Sequence, residues 1–245
     1  MKNRKNFNIG SWITIPSEIV VEIISKYNFD FNVIDLEHSS INLYQVENLL
    51  RIIKLHNQKV YIRTINNDEF QIKRILDYGA DGIILPNIRN LNQLNKICKM
   101  IYYPPKGNRG VGLSRSSMYG KNFANYFKKF NKNIKIIIII ENIEALKHLD
   151  EIFASKLYSS VMIGPYDLSA SLNIPGKFEN QKYKNALKLI ISKAKYYQKK
   201  IGIHLVEPDP TKIKKLSKIY DFIIYSLDTK LLIKALDEIK EIRNN

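Results

Sequence analysis

Short apolar runs alternate with segments of helical period along almost the whole chain. The runs predict buried strands at residues 8–13, 31–35, 59–64, 81–86, 134–140, 161–163, 200–205 and 222–225. Helices are predicted after Pro16 and Ser17 and at residues 43–56, 69–78, 91–102, 182–198, 210–219 and 231–242. About eight strands alternating with about eight helices are typical of βα units. The pattern predicts a single-domain TIM barrel of the (β/α)8 type over residues 1–245, with a doubly wound open sheet as the alternative.

The densest apolar run, residues 134–140, is followed directly by a carboxylate, Glu141. An anion at the mouth of a buried strand costs on the order of several kcal/mol unless a positive charge meets it. Asp167 follows the next run in the same way, after a Gly-Pro turn. Two carboxylates from neighbouring strand ends suit a shared hard cation such as Mg²⁺ or Mn²⁺. Each also has a structural explanation, Glu141 as a first-turn helix charge and Asp167 as a helix N-cap.

Further polar side chains lie at the carboxyl ends of predicted strands, which share one rim in a barrel and carry its reactive groups. They are Asp35, Glu37, His38 and Arg63. His38 is either a hydrogen-bonded structural residue or a base, and Arg63 is either a structural ion-pair partner or an oxyanion-binding group. Asp77 lies late in a predicted helix, where its charge opposes the helix dipole, so we expect it to have a specific partner.

The composition is that of an ordinary globular protein, with 45% apolar and 25% charged residues. The formal charge is +16, but the lysines are scattered through helical segments. This distribution favours a solvated exterior over a nucleic-acid or membrane surface. A single cysteine, Cys98, excludes an internal disulfide framework. The first ten residues are basic and lack the apolar core of a secretory signal, so we expect a cytoplasmic protein.

The longest stretch without clear periodicity is residues 103–120, YPPKGNRGVGLSRSSMYG. Its glycine spacing is not a dinucleotide-binding fingerprint, because no strand leads into it and no helix starts at its glycines. Long loops in compact domains usually have a function. We therefore expect a lid or a subunit-contact loop rather than a phosphate-binding loop or a plain connector.

Six segments together resemble the HpcH/HpaI family of metal-dependent class II pyruvate aldolases. In chain order they are IDLEHSSIN, YIRTINND, RILDYGADGIILP, YPPKGNRGVG, IENIEAL and IGPYDLS. The resemblance covers nearly the whole chain and implies a TIM barrel in a homo-oligomer, commonly a trimer or hexamer with an exchanged C-terminal helix. It also implies a carbon–carbon lyase, which cleaves 4-hydroxy-2-oxo acids reversibly to pyruvate, or a similar 2-oxo acid, and an aldehyde.

The resemblance also implies a role for individual residues. Glu141 and Asp167 correspond to the ligands of a divalent metal, Mg²⁺ or Mn²⁺, with Co²⁺ as an alternative. His38 corresponds to the base, with Asp77 as its orienting carboxylate. The remaining correspondences are Arg63 facing the keto oxygen, Asp35 as an acidic neighbour in the same loop, and Gly164, Pro165 and Tyr166 in contact with substrate.

Two residues depart from the family pattern. Ile139 replaces a glutamine that helps to bind the 2-oxo acid, and Tyr166 replaces a small residue or asparagine. Loss of the glutamine hydrogen bond costs about 1 kcal/mol of binding or indicates a different substrate. A citrate-forming synthase on the same fold is therefore the first alternative. A non-catalytic basic barrel that binds polyanions is a remote alternative. Such a protein would not need the predicted site residues, namely the acidic residues, His38 and Arg63.

Overall fold

Eight parallel strands close into one barrel in chain order, as seen in a computed structural model that describes residues 7–244 and the side chains of residues 7–240. Strands β1 to β8 are Asn8–Ile13, Phe31–Asp35, Lys59–Arg63, Gly82–Leu85, Lys135–Ile140, Ser160–Ile163, Lys200–Leu205 and Phe222–Leu227. Because β8 pairs with β1, the predicted TIM barrel is confirmed and the open sheet is wrong. The predictions for residues 1–6 and 245, as part of the domain and without a secretory signal, lie outside the described residues.

Helices surround the barrel and return the chain to the amino ends of the strands. Helices α1 to α11 are Glu18–Ser25, Leu43–Leu55, Glu69–Tyr78, Leu91–Ile101, Phe123–Asn133, Ile143–Lys147, Leu149–Ala154, Pro165–Ser171, Gln181–Tyr196, Ile213–Leu216 and Asp228–Asn244. Short 3-10 turns occur at Arg115–Ser117 and Pro210–Lys212. None of the helices in the described part of the chain combines the length and the apolarity needed to cross a membrane.

The ends of the helices follow from local sequence signals. The Ser17 hydroxyl accepts the N–H of Val20 and caps α1, and Asn42 forms a capping box with Gln45 at the start of α2. Gly79 ends α3 at φ 95°, a left-handed conformation that glycine adopts without steric cost. The N-caps fix where α1 and α2 begin. Gly79 fixes where α3 ends and therefore where the following strand enters the barrel.

An apolar core fills the middle of the barrel. Its inward-pointing side chains are Trp12, Phe31, Val33, Tyr61, Ile84, Ile137, Ile139, Met162, Phe222 and Ile224. Gly10 and Gly202 leave room for two of the rings, because a Cβ there would lie 2.2 Å from Phe31 Cε2 and 2.1 Å from Phe222 Cε2. This core separates the mouth at the carboxyl ends of the strands from the mouth at their amino ends.

A buried carboxylate, Asp228, joins the first and last strands at the carboxyl rim. Its Oδ2 accepts the backbone N–H groups of Thr14 and Ile15, each at 2.8 Å, and its Oδ1 accepts the Thr14 hydroxyl. Asp228 is also the first residue of α11, three residues before the predicted start of that helix. The rim that carries the candidate site is therefore closed by hydrogen bonds between β1 and the residues that follow β8.

Candidate active site

A cavity of about 170 Å³ opens at the carboxyl ends of the strands, and it brings together most of the predicted site residues. The predicted residues that line it are His38, Arg63, Glu141, Gly164, Pro165, Tyr166 and Asp167. They come from the ends of four different strands. The sequence predicts that these ends lie close together only if the strands form a barrel.

Arg63 is held in the cavity wall by a buried carboxylate. Its Nε and Nη2 donate to Oδ1 and Oδ2 of Asp35, each at 2.7 Å, and its Nη1 lies 2.9 Å from Oε2 of Glu37. Burial works against the charged form of Arg63, but the hydrogen bonds and charges of Asp35 and Glu37 outweigh it, so the pKa of Arg63 is raised. The guanidinium also lies 4.6 Å from the centre of the Trp12 ring. Asp35 therefore positions Arg63 and does not itself line the cavity.

Asp35 also shapes the loop that carries His38. Its carboxylate accepts the backbone N–H groups of Glu37 at 3.0 Å and His38 at 3.3 Å. Loops that follow a strand need such partners because their N–H groups are no longer bonded to the sheet. The His38 side chain is exposed at the cavity, where a base must be reachable by substrate.

Glu141 is a nearly buried carboxylate at the end of β5. Its Oε1 accepts the backbone N–H of Asn87 at 2.6 Å, and Asn87 adopts a left-handed conformation at φ 53°. Burial raises the pKa of Glu141 to about 7, the Asn87 hydrogen bond lowers it, and the charge of Asp167 raises it further. The negative charge of Glu141 is thus costly here, and a cation beside it would offset that cost.

Gly164 leaves the space that the Glu141 carboxylate occupies. A Cβ on residue 164 would lie 2.6 Å from Oε2 of Glu141 and 3.1 Å from its Cβ. The Gly-Pro sequence also starts α8, with Gly164 as the N-cap and Pro165 in the first turn. This turn brings Asp167 to the cavity as an exposed side chain.

The structural explanations for the two carboxylates are both wrong. Glu141 precedes Asn142, the N-cap of α6, so it is not in the first turn of that helix. Asp167 lies inside the first turn of α8, and Gly164 occupies the N-cap position. Neither carboxylate is therefore explained as a helix cap.

Glu141 and Asp167 fit a hard divalent cation in charge and in ligand type. Their carboxylates interact electrostatically, and the buried one lacks a full positive counter-charge of its own, since Arg63 is already paired with Asp35 and Glu37. Within residues 7–240, no group of three or more His, Cys, Asp or Glu side chains is placed to hold one metal ion. Two carboxylates would leave the other coordination positions to water and substrate.

Asp77 is not in this cavity within the chain. It lies in the last turn of α3, which leads to the amino end of β4, whereas His38 follows the carboxyl end of β2. Its Oδ1 accepts from Nη2 of buried Arg109 at 2.6 Å, which supplies the partner that its helix position called for. The pairing of Asp77 with His38 is not formed within one chain, and the role of Asp77 as the orienting carboxylate stays a prediction.

The segment 103–120 also lies at the amino ends of the strands. Arg115 donates from Nη1 to the backbone oxygen of Tyr78 at 2.8 Å, which fixes the segment on the end of α3. A lid over the cavity of the same chain is therefore excluded, and the subunit-contact interpretation remains. Four of its apolar side chains are more than half exposed, namely Val111, Leu113, Met118 and Tyr119.

Three residues at the site were missed by sequence reasoning. Asn87 holds Glu141, Trp12 lies against Arg63, and His204 lines the cavity beside Trp12 with ring centres 5.3 Å apart. The Nε2 of His204 is 3.3 Å from the Ser226 carbonyl oxygen, and burial lowers its pKa to about 3, so the ring is neutral. Trp12 and His204 both lie on predicted strands at inward positions, and that alternation was the available signal.

Comparisons with known proteins identify the family. A profile of the HpcH/HpaI aldolase/citrate lyase family matches residues 8–235. A 2-keto-3-deoxy-L-rhamnonate aldolase from Escherichia coli is 29% identical over 232 residues, which cover 94% of this chain and 86% of that protein. A 4-hydroxy-2-oxo-heptane-1,7-dioate aldolase from Shigella flexneri is 30% identical over 231 residues, with the same coverage of both chains.

Solved structures agree on the fold. A HpcH/HpaI aldolase/citrate lyase family protein from Burkholderia cenocepacia superposes with a TM-score of 0.91 at 23% identity, covering 99% of this chain and 96% of the other. A citrate synthase, SbnG, superposes with a TM-score of 0.86 at 23% identity, covering 99% and 95%. The chain belongs to the HpcH/HpaI aldolase/citrate lyase family, and the predicted class of carbon–carbon lyase is confirmed.

Proposed function

We propose that this protein uses a divalent metal ion to cleave a 4-hydroxy-2-oxo acid reversibly into pyruvate, or a similar 2-oxo acid, and an aldehyde. The observation that carries the proposal is the buried Glu141 carboxylate, which shares one cavity with Asp167, Arg63 and His38. The aldolase names of the sequence relatives support the same reaction.

Glu141 and Asp167 would hold the cation, as Mg²⁺ or Mn²⁺ or as Co²⁺. Such a cation would act as a Lewis acid on the keto and carboxylate oxygens of a bound 2-oxo acid. The protein's part is to orient Glu141 and favour its ionised form through the Asn87 hydrogen bond, and to leave the space that the carboxylate occupies, which Gly164 does.

Arg63 would stabilise the negative charge that develops on the keto oxygen as the carbon–carbon bond breaks. A guanidinium has five N–H donors; here Nε and Nη2 donate hydrogen bonds to Asp35, and Nη1 forms an ion pair with Glu37. One hydrogen on Nη1 and one on Nη2 remain for an oxyanion. Because the group is already fixed and charged, it needs no rearrangement at the moment of reaction.

His38 would take the proton from the 4-hydroxyl group during cleavage and return it during synthesis. Its loop is fixed by the Asp35 carboxylate, while its ring is exposed to the cavity. None of the described residues that line the cavity is a lysine, which agrees with a reaction that needs no Schiff base. Trp12, Ile139 and Met162 form the apolar part of the cavity wall.

We further propose that the active enzyme is a homo-oligomer, a trimer or hexamer, in which Asp77 of one copy reaches His38 of another. The support is apolar surface that a single chain leaves exposed. Residues 232–240 of α11 are all exposed, and the helix makes its main contacts with the barrel at β8 and β1. The exposed apolar side chains on it are Leu232, Ile233, Leu236 and Ile239.

A second candidate function is condensation of a 2-oxo acid with another carbonyl compound, as in a citrate synthase. Ile139 favours it, because an apolar side chain takes the place of a hydrogen-bonding amide in the cavity wall. Family membership argues against the non-catalytic polyanion-binding alternative, and we propose no nucleic-acid or membrane partner. A cytoplasmic location stays a prediction from the sequence.

The assay that separates the two candidates is pyruvate release from a panel of 4-hydroxy-2-oxo acids. The protein is first stripped with EDTA and then supplied with Mg²⁺, Mn²⁺ or Co²⁺. Metal-dependent pyruvate release supports the aldolase. The absence of pyruvate release from every member of the panel with all three ions would contradict the aldolase and favour the synthase.

A further inference from the structure

The amino-terminal mouth of the barrel carries three lysines in one interior layer. Lys59, Lys135 and Lys200 are the first residues of β3, β5 and β7. Side chains alternate between the two faces of a strand, so each lysine shares the inward direction of the residue two positions later. For β3 and β5 those residues, Tyr61 and Ile137, belong to the core inside the barrel. Side chains from alternate strands form one layer in such barrels, so the three lysines belong to one layer, where their side chains are exposed to solvent.

A cavity of about 490 Å³ lies at this mouth, and all three lysines line it. Asn8, Ser159 and Ser160 add an amide and two hydroxyl groups to its wall. Phe31, Tyr61 and Phe222 form its apolar floor, and their rings belong to the core that separates it from the candidate active site. The volume falls in the range of about 300–1,000 Å³ that is usual for small-molecule sites.

Within residues 7–240, the side chains of the three lysines form no hydrogen bond or ion pair with another described residue. Asp221 is the one carboxylate among the described lining residues; its Oδ2 already accepts the N–H of Ile201, and it takes part in a further interaction. Three like charges in one layer repel each other, and a bound anion relieves that repulsion.

A neighbouring cavity extends the positive surface. It has a volume of about 520 Å³, shares Lys59, Tyr61 and Lys135 with the first cavity, and adds Lys129 from α5. Its carboxylate, Asp81, is already bonded to Lys54 and to the backbone N–H of Val60. The excess of positive charge at this mouth therefore comes from lysine side chains that form no ion pair within residues 7–240.

We propose that the amino-terminal mouth binds a small multivalent oxyanion, a polyphosphate or a polycarboxylate, through Lys59, Lys135 and Lys200. Ammonium groups bind such anions as point charges that need no fixed geometry, and the Asn8 amide and serine hydroxyls add neutral hydrogen bonds. The site is separate from the candidate active site and does not depend on the proposed reaction.

The test is isothermal titration calorimetry with inorganic pyrophosphate and, separately, with citrate. Both titrations contain EDTA at a fixed ionic strength, so that no metal ion recruits the anion. The triple variant Lys59→Gln, Lys135→Gln and Lys200→Gln is compared with a control, Lys182→Gln, Lys188→Gln and Lys214→Gln, which removes the same charge from exposed positions on the helices.

We expect saturable binding of at least one of the two anions to the wild type. The mouth variant should bind about tenfold or more weakly, whereas the control should bind as the wild type does. The same anion should raise the melting temperature of the wild type and of the control but not that of the mouth variant, whose own melting curve shows that it is folded. Pyrophosphate and citrate distinguish a phosphate from a carboxylate ligand.

Any of three results would overturn the proposal. One is the absence of saturable binding of both anions to the wild type. Another is equal binding to the wild type and the mouth variant, which would place the anion elsewhere, for example at Arg63. Equal weakening in the mouth variant and in the control would likewise show a general charge effect and no site.

Discussion

Glu141, with its buried carboxylate, is the residue on which the proposed metal site depends most. Its pKa of about 7, against an ordinary value of 4.5, means that the folded protein keeps a proton that the unfolded chain releases between these values. Stability without metal should therefore fall as the pH rises through this window, by up to about 3 kcal/mol, and level off above it.

This pH dependence is measurable by urea unfolding in EDTA between about pH 5 and about pH 8. The Glu141→Gln variant lacks the titrating group, so its stability should lack this part of the decrease. The exposed Glu18→Gln substitution serves as a control that retains it. If the free energies of unfolding of the wild type and of Glu141→Gln changed in parallel with pH over this window, burial would not raise the pKa of Glu141.

Gly164 gives a second prediction, because the space that it leaves is taken by the Glu141 carboxylate. In Gly164→Ala the new Cβ would meet Oε2 of Glu141 at 2.6 Å, so the carboxylate must move. We expect Mn²⁺ affinity to fall by about tenfold or more while the protein remains folded.

Gly110→Ala is the matched control for this prediction, since its Cβ would meet only the flexible end of Lys73, at 3.4 Å. Mn²⁺ affinity and circular dichroism are measured for both variants. Unchanged affinity in Gly164→Ala would mean that the position of the Glu141 carboxylate does not matter for the metal.

Helix α11 carries the apolar surface that we expect to be buried between copies. Replacing Leu236 and Ile239, both more than half exposed, with lysine should reduce the oligomer to a monomer without loss of helix. The control replaces Lys234 and Asp237 on the same helix with alanine, and it should keep the assembly. Light scattering coupled to size-exclusion chromatography measures the mass, and an unchanged mass in the lysine variant would contradict this interface.

The sequence predicted the bounds of the strands well and the secondary structure between α4 and β5 less well. Strands β1, β2 and β7 have the predicted bounds, because a buried strand is a local apolar run between turn signals. Helix α5 was missed, since no element was predicted between residue 120 and the strand at 134–140, although Phe123, Tyr126, Phe127 and Phe130 follow a helical spacing. The predicted helix at 210–219 is shorter than expected, a 3-10 turn followed by four helical residues.

The site was predictable where the barrel topology alone brings residues together. Glu141, Asp167, His38 and Arg63 each follow or end a strand, and parallel strands in a closed barrel deliver such residues to one rim. The partner of Asp77 was not predictable, because Arg109 reaches it only when the segment after α4 folds back on to α3. The neutral state of His204 likewise depends on burial and on the β7–β8 pairing.

Considered as a whole molecule, the protein places Asp77 and His38 at opposite ends of the barrel, so a shared active site needs two copies. His38→Ala and Asp77→Asn should each lower the activity strongly when assembled alone. After co-expression, about a quarter of the sites pair an intact His38 with an intact Asp77 if assembly is random, so part of the activity should return.

Pyruvate release by the mixed assembly measures this recovery, and the control mixes His38→Ala with a double variant that carries both substitutions. That control contains no intact His38 and should stay inactive. Activity of Asp77→Asn equal to the wild type would remove Asp77 from the reaction, and no recovery in the mixture would contradict sites shared between copies.

The most direct test of the central claim is a titration with Mn²⁺ followed by electron paramagnetic resonance. We expect one bound ion per chain in the wild type, loss of that ion in Glu141→Gln and in Asp167→Asn, and retention in the control Glu151→Gln. A folded wild-type protein that binds no Mn²⁺, or Glu141→Gln and Asp167→Asn variants that bind it as tightly as the wild type, would contradict the claim that these two carboxylates hold the metal.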